Sequence, residues 1–109
     1  MKIKERARLI ANCKSERMKR FDKLVEAHIE KIFRVCLFIL QEEENAVEKA
    51  EEVTIATYIK FYEHMDEVEP EREFVYLVIE AKNISQAYKE GIVPKTEVGI
   101  DERQMDRTD

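Results

Sequence analysis

The sequence predicts an all-α fold, a compact domain of three to four helices. Only two of its 109 residues are glycine and two are proline, so few positions favour turns. Charged residues make up 39% of the chain, and the apolar residues between them recur at intervals of three and four. That interval is the spacing of one face of an α-helix. A chain of this length supports one domain with a single modest core.

The composition also predicts the cellular compartment of the protein. No apolar run approaches the roughly 20 residues that a membrane-spanning helix needs, and the N-terminus lacks the apolar block of a signal peptide. Cys13 and Cys36 lie in helical patterns without the spacing of metal ligands. We therefore predict a cytoplasmic protein with reduced, buried or half-buried thiols and no membrane partner.

The net charge of -5 hides a gradient along the chain. Residues 1–20 carry eight basic and two acidic side chains, whereas residues 41–73 carry twelve acidic and three basic ones. Phosphate contacts dominate nucleic-acid affinity, so an acidic chain is a poor general nucleic-acid binder. The basic N-terminal region either lies along a phosphate backbone or is a solvated helix face.

The strongest helical pattern covers residues 19–41, where apolar side chains recur at three and four and surround the helix near its end. We predict that this helix is the centre of the core. Its stripe consists of Phe21, Leu24, Val25, His28, Ile29, Ile32, Phe33, Cys36, Ile39 and Leu40. A thinner stripe predicts a separate first helix over residues 3–17.

Two more helices are predicted after a polar break. The third begins at Asn45, with Glu48 placed to complete a capping box, and runs to about Glu67. The fourth begins near Pro70, which suits the first turn of a helix, and ends at Gly91.

These patterns predict three segments. Residues 1–18 are a basic N-terminal arm or first helix, and residues 19–91 are the helical domain. Residues 92–109 are polar and poor in large apolar groups, which is typical of a C-terminal tail or linker.

No catalytic constellation is indicated. There is no glycine-rich phosphate loop, no nucleophile paired with a base, and the carboxylates follow helical surface rows that are typical of solvated faces. His28 lies on an apolar stripe with no second His or Cys placed to chelate with it. We predict a packed, hydrogen-bonded histidine there, and no catalytic residue, metal or cofactor in the protein.

The third helix carries a second apolar edge. Its main stripe, predicted to be core, consists of Ala50, Thr54, Tyr58, Phe61 and Met65. Ile55 and Ile59 are one turn apart and lie roughly 100° or more from the centre of that stripe. A second apolar edge predicts a second contact.

Three stretches carry a family resemblance. Residues 21–28 and 32–35 are similar to an opening F-x-x-L helix followed by an aromatic and an arginine-rich turn. Residues 50–62 are similar to A-E-D-L-V-Q-E-T-F-I-K-A-Y, and residues 70–83 to P-E-x-x-F-x-x-W-L-x-x-I-A-R-N. In this order they resemble region 2 of bacterial sigma factors, most closely the extracytoplasmic-function group, over about residues 20–92.

The resemblance implies a compact helical module that binds the clamp helices of the RNA polymerase core and faces the promoter minus-ten element. The implied polymerase- or partner-binding positions are Glu52, Ile55, Ala56 and Ile59. The implied DNA-binding positions are Tyr76, Lys82, Asn83, Gln86 and Lys89. Both sets are expectations from the family.

The chain also departs from the family pattern. Polar family positions are Ile55 and Ala56 here, so an apolar contact replaces a hydrogen bond. The arginine-rich end of the fourth helix is reduced to Lys82 and Lys89, and each missing cation removes a phosphate contact, so we expect weak promoter binding. The family continues into a second DNA-binding domain, which a partner chain is expected to supply here.

Two alternatives remain open at this stage. One is a degenerate sigma-like adaptor without promoter activity, which forms a homodimer through Ile55 and Ile59. In the other, Ile55 and Ile59 pack under the first helix, residues 3–17, which would then cover the polymerase-binding positions.

Overall fold

The computed structural model describes residues 16–96, which form three α-helices and contain no strand. Helix α1 spans Glu16–Leu40, α2 spans Ala46–His64 and α3 spans Glu73–Lys89. Each helix packs against both others. The all-helical prediction is confirmed for this part of the chain.

The beginning of α1 differs from the predicted boundary. Glu16 and Arg17, predicted to lie in a separate first helix, belong to α1, and the Met18 side chain is buried in the core. The remainder of that predicted helix or arm, residues 1–15, and the tail from residue 97 onward lie outside the described residues.

The stripe of α1 is the centre of the core, as predicted. Its buried members are Phe21, Leu24, Val25, Ile29, Ile32, Cys36 and Leu40. Phe21 contacts three aromatic rings of α2, with centroids 6.1 Å away at Tyr58, 6.4 Å at Phe61 and 5.4 Å at Tyr62. Aromatic pairs in this range add to the stabilisation from buried area.

The start of α2 corrects one prediction. Asn45 adopts a left-handed conformation, with φ 57° and ψ 43°, and its side chain makes no capping hydrogen bond. A capping residue needs extended backbone angles to aim its side chain at the first turn, so the predicted capping box with Glu48 is wrong. Asparagine instead serves here because it tolerates the left-handed region.

Two 3-10 turns, Met65–Glu67 and Pro70–Arg72, connect α2 to α3. The Arg20 guanidinium of α1 holds this connection by donating hydrogen bonds to the Met65 carbonyl at 3.1 Å and the Val68 carbonyl at 2.6 Å. It also bonds the Glu73 carboxylate at 2.6 Å. The Arg20 side chain thus connects α1 to the first turn of α3.

Gly91 terminates α3, as predicted. Its φ of +99° is readily adopted only by glycine, and the following amide, from Ile92, donates to the Ala87 carbonyl at 2.9 Å. The chain then runs back beside α2, where the Lys95 ammonium lies 2.6 Å from the Glu63 carboxylate.

Candidate interaction surfaces

The implied polymerase-binding positions on α2 are mostly inside the protein. Ile55 is 3% exposed, Ala56 5% and Ile59 1%, and this burial contradicts the expectation that these three positions bind polymerase or a partner. Only Glu52 of this set reaches solvent, and it is half-buried. A contact made by the other three side chains is incompatible with this packing.

The reason is the position of α2 in the fold. All seven residues from Val53 to Ile59 are buried, and seven consecutive residues make nearly two turns, so they point in every direction around the helix. Ala56 and Ile59 line a groove of 430 Å³ together with Ile84 of α3 and residues 92–95. Helix α2 is therefore a central helix, and its second apolar edge is a second core contact.

One alternative places Ile55 and Ile59 against another part of the same chain, and the observed burial agrees with that. The same alternative predicts that residues 3–17 cover them, but most of those residues lie outside the described residues. The homodimer alternative needs Ile55 and Ile59 on the surface, which the observed burial contradicts.

The part of α2 near Glu52, which solvent reaches, is polar. The Tyr88 hydroxyl of α3 donates to the Glu52 carboxylate at 2.5 Å, and the Lys49 ammonium lies 5.5 Å from the centre of the Tyr88 ring. The hydrogen bond to Glu52, together with burial, raises the pKa of Tyr88 to about 12. These three side chains bridge α2 and α3.

Four of the five implied DNA-binding residues share the outer side of α3. Lys82, Asn83, Gln86 and Lys89 are all exposed, and at ~100° per residue they fall within an arc of roughly 120°. The structure thus brings them together on one accessible surface. We call these four residues the polar face of α3.

Tyr76 lies apart from the polar face of α3. It is half-buried, and its ring packs edge-on against Phe61 at 5.8 Å. Burial and the carboxylates of Glu80, Glu67 and Glu63 raise the pKa of its hydroxyl to about 12. Tyr76 therefore lies in acidic surroundings that do not favour phosphate.

Two exposed aliphatic residues on α3 were not predicted from the sequence. Val75 and Ile79 are each 50% exposed, and they border a groove of 630 Å³ between α3 and the end of α2. Both lie outside the buried stripe of α3, and this position around the helix can be seen in the sequence. Ile55 and Ile59 also lie outside the main stripe of their helix but are buried, so the sequence pattern alone does not identify surface residues.

His28 is packed, as predicted, but is not fully hydrogen-bonded. Its ring lies 4.8 Å from the Phe74 ring, and Nδ1 is buried without a hydrogen-bond partner among the described residues. Burial and the nearby Lys31 ammonium lower the pKa of His28, while Glu73 acts in the opposite direction. Phe74 covers His28 at the edge of the bundle and is itself 38% exposed.

Within residues 16–96, no group of three or more His, Cys, Asp or Glu side chains is arranged to hold a metal ion. None of the helices formed by residues 16–89 combines the length and apolar character required to cross a bilayer.

Comparison with protein-family models, curated proteins and solved structures gave no match. The resemblance to sigma factor region 2 therefore depends on the three sequence stretches, and the function that it implies is a proposal.

Proposed function

We propose that this chain is a cytoplasmic, transcription-associated protein resembling sigma factor region 2, which docks on the RNA polymerase core and contributes to recognition of the promoter minus-ten element. The observation that carries this proposal is the polar face of α3. Its four residues are the positions at which the resemblance implies DNA contacts, and all four are exposed on one side.

The fold is compatible with the proposal. The three stretches that carry the resemblance fall on α1, on α2, and on the second 3-10 turn with α3, in that order. All three helices pack against one another, so the stretches form one unit. This arrangement supports a single module better than three unrelated local similarities.

The proposed DNA contact is weak by itself. Single-strand binding combines cations that contact phosphates with aromatic rings that stack on bases, and the polar face of α3 offers two lysines and no aromatic ring. Docking on polymerase raises the effective concentration of this face at the promoter. Another chain supplies the upstream promoter contacts in this proposal.

We propose that polymerase docking uses accessible polar groups along α2 in place of the buried Ile55, Ala56 and Ile59. Glu52 is half-buried and Lys60 is exposed, and the Lys60 ammonium is 3.0 Å from the Glu80 carboxylate of α3. Charged groups at the edge of an interface set orientation and association rate more than affinity.

Binding to purified core polymerase and to a single-stranded minus-ten oligonucleotide tests the two parts separately. We expect the wild-type chain to co-purify with core polymerase. We expect Lys82→Glu/Lys89→Glu to retain that binding but weaken oligonucleotide binding by the complex about tenfold, because two phosphate contacts become repulsive.

The matched control is Lys23→Glu/Arg34→Glu, which makes the same charge change at exposed positions of α1. Equal loss of oligonucleotide binding in both double variants would contradict a DNA-binding role for the polar face of α3. Failure of the wild-type chain to bind core polymerase would contradict docking.

A second candidate function is a sigma-like adaptor that binds another protein and has no promoter activity. The observation that favours it is the exposed aliphatic pair Val75 and Ile79 beside an open groove. A polymerase pull-down and a light-scattering mass distinguish the candidates. A mass near twice 13.0 kDa without polymerase binding would favour a self-associating adaptor.

A further inference from the structure

The groove beside Val75 and Ile79 has an apolar floor. Val75 and Ile79 lie one turn apart on α3 and are each half-exposed, while Val68 and Tyr76 line the groove beside them. Tyr76 is supported from below by the Phe61 ring, 5.8 Å away. The volume of 630 Å³ leaves room for side chains of another molecule to enter.

The segment that connects α2 to α3 along this groove is acidic. The segment from Glu63 to Glu73 contains six carboxylates and one arginine, Arg72. Glu67 and Glu69 line the groove, and both are exposed. Lys60 and Arg72 also line the groove, and the Lys60 ammonium lies 3.0 Å from the Glu80 carboxylate.

Several of these carboxylates have partners in the chain. Glu63 lies beside Lys95, Asp66 beside Arg17, and Glu73 beside Arg20. His64 is 3.5 Å from Glu67, whose side chain is 80% exposed. The carboxylates of Glu67 and Glu69 therefore remain accessible to a cationic group from outside.

We propose that this groove binds a basic amphipathic helix of a partner protein. Aliphatic side chains of that helix occupy the floor at Val75 and Ile79, and its Lys or Arg side chains pair with Glu67 and Glu69. Helices that lay an apolar face into a groove are a common recognition mode. The inference does not require polymerase or DNA binding, and it names the partner class for the groove on which the adaptor candidate rests.

The charges argue against a nucleic acid as the occupant. A nucleic acid would bring phosphates toward an acidic segment, which costs affinity because phosphate binding depends on cations. A cationic helix has the complementary charge.

A synthetic peptide of leucine and lysine, with leucines at i, i+3, i+4 and i+7, is the probe. Fluorescence anisotropy measures its binding to the purified chain, and the same composition in scrambled order is the control peptide. We expect Val75→Asp/Ile79→Asp to weaken binding at least about tenfold, because the apolar anchors of an interface carry most of its affinity.

The matched control variant is Ile92→Asp/Val93→Asp. It introduces the same two charges at exposed aliphatic residues outside the groove floor, so the net charge of the two variants is equal, and we expect it to bind like the wild type. Glu67→Lys/Glu69→Lys changes only exposed side chains. We expect it to weaken binding about threefold or more at low salt, and less as salt screens the charges.

The inference would be overturned if Val75→Asp/Ile79→Asp and Ile92→Asp/Val93→Asp bound the peptide equally well. It would also be overturned if the wild-type chain bound the scrambled peptide as tightly as the ordered one. A solution mass near twice 13.0 kDa that Val75→Asp/Ile79→Asp abolishes would assign the groove to a second copy instead. Single-stranded oligonucleotide binding that depends on Val75 and Ile79 would assign it to nucleic acid. If the first variant fails to fold by circular dichroism, the glutamate variant decides the question.

Discussion

At the residue scale, Ile55 and Ile79 show how differently one side-chain type is placed. Ile55 is 3% exposed in the central helix, whereas Ile79 is 50% exposed on the outer side of α3. Each lies off the main apolar stripe of its helix. Substitutions at the two positions therefore test burial directly.

We expect Ile55→Asp to destabilise the fold by roughly 3–5 kcal/mol, because it buries an unpaired charge. A small domain has about 5–15 kcal/mol of stability, so this variant will be largely or partly unfolded. Ile79→Asp is expected to change the free energy of unfolding by no more than about 0.5 kcal/mol. Urea denaturation followed by circular dichroism measures both.

Equal stability of the two variants would contradict the burial of Ile55. The comparison also determines how binding experiments are interpreted. Loss of partner binding in Ile55→Asp would report unfolding, whereas loss in a folded Ile79→Asp variant reports a surface contact.

At the element scale, two arginines of α1 hold the connection between α2 and α3. Arg17 donates to the Tyr62 carbonyl at 2.6 Å and lies beside Asp66, and its guanidinium is 4.6 Å from the Tyr62 ring centre. Arg20 reaches two further carbonyls and Glu73. These contacts position the 3-10 turns that border the groove at Val75 and Ile79.

We expect Arg20→Ala to lower the free energy of unfolding by about 2 kcal/mol, because it removes three hydrogen bonds at a partly exposed site. Arg20→Lys should recover only part of the loss, since an ammonium cannot reproduce the planar guanidinium fork. Arg34→Ala, at an exposed position of the same helix, is the control. Urea midpoints that are equal for the two alanine variants would refute this role of Arg20.

At the scale of the whole molecule, three tyrosines join the helices in their neutral form. Tyr58 is buried against α1, and burial raises the pKa of its hydroxyl above the ordinary value. The pKa values of Tyr76 and Tyr88 are raised to about 12. The folded protein therefore holds these protons at a pH where the unfolded chain has released them.

Stability should consequently fall as the pH rises from about 10 to about 12. In this range the folded state binds more protons than the unfolded state, and the free energy of unfolding decreases with pH when that is so. Urea midpoints at about pH 9 and about pH 11 measure the decline. Tyr88→Phe cannot ionise and should show a smaller decline than the wild type; an identical decline would contradict the role of Tyr88.

Much of the fold could be predicted from the sequence because it depends on local patterns. Helical periodicity identified the core stripes of α1 and α2, and Gly91 marked the end of α3 through its backbone freedom. These features depend on residues close together in the chain.

The capping prediction failed for a local reason, since the residues of a capping box are present but Asn45 adopts a left-handed conformation. The site predictions on α2 failed because exposure depends on long-range packing. Periodicity gives the direction of a side chain around its own helix, but the number of neighbours that surround the helix depends on packing. Two apolar residues off the main stripe have the same pattern whether solvent or another segment lies against them.

The sequence by itself thus determined the helical class and the core stripes of α1 and α2, because each follows from spacing along one helix. Only the tertiary structure decided that Ile55 and Ile59 are interior while Val75 and Ile79 are accessible. It also joined the acidic connection to that aliphatic pair to form a groove. Exposure is a property of the packed assembly of helices, so it is decided by contacts between residues distant in the chain.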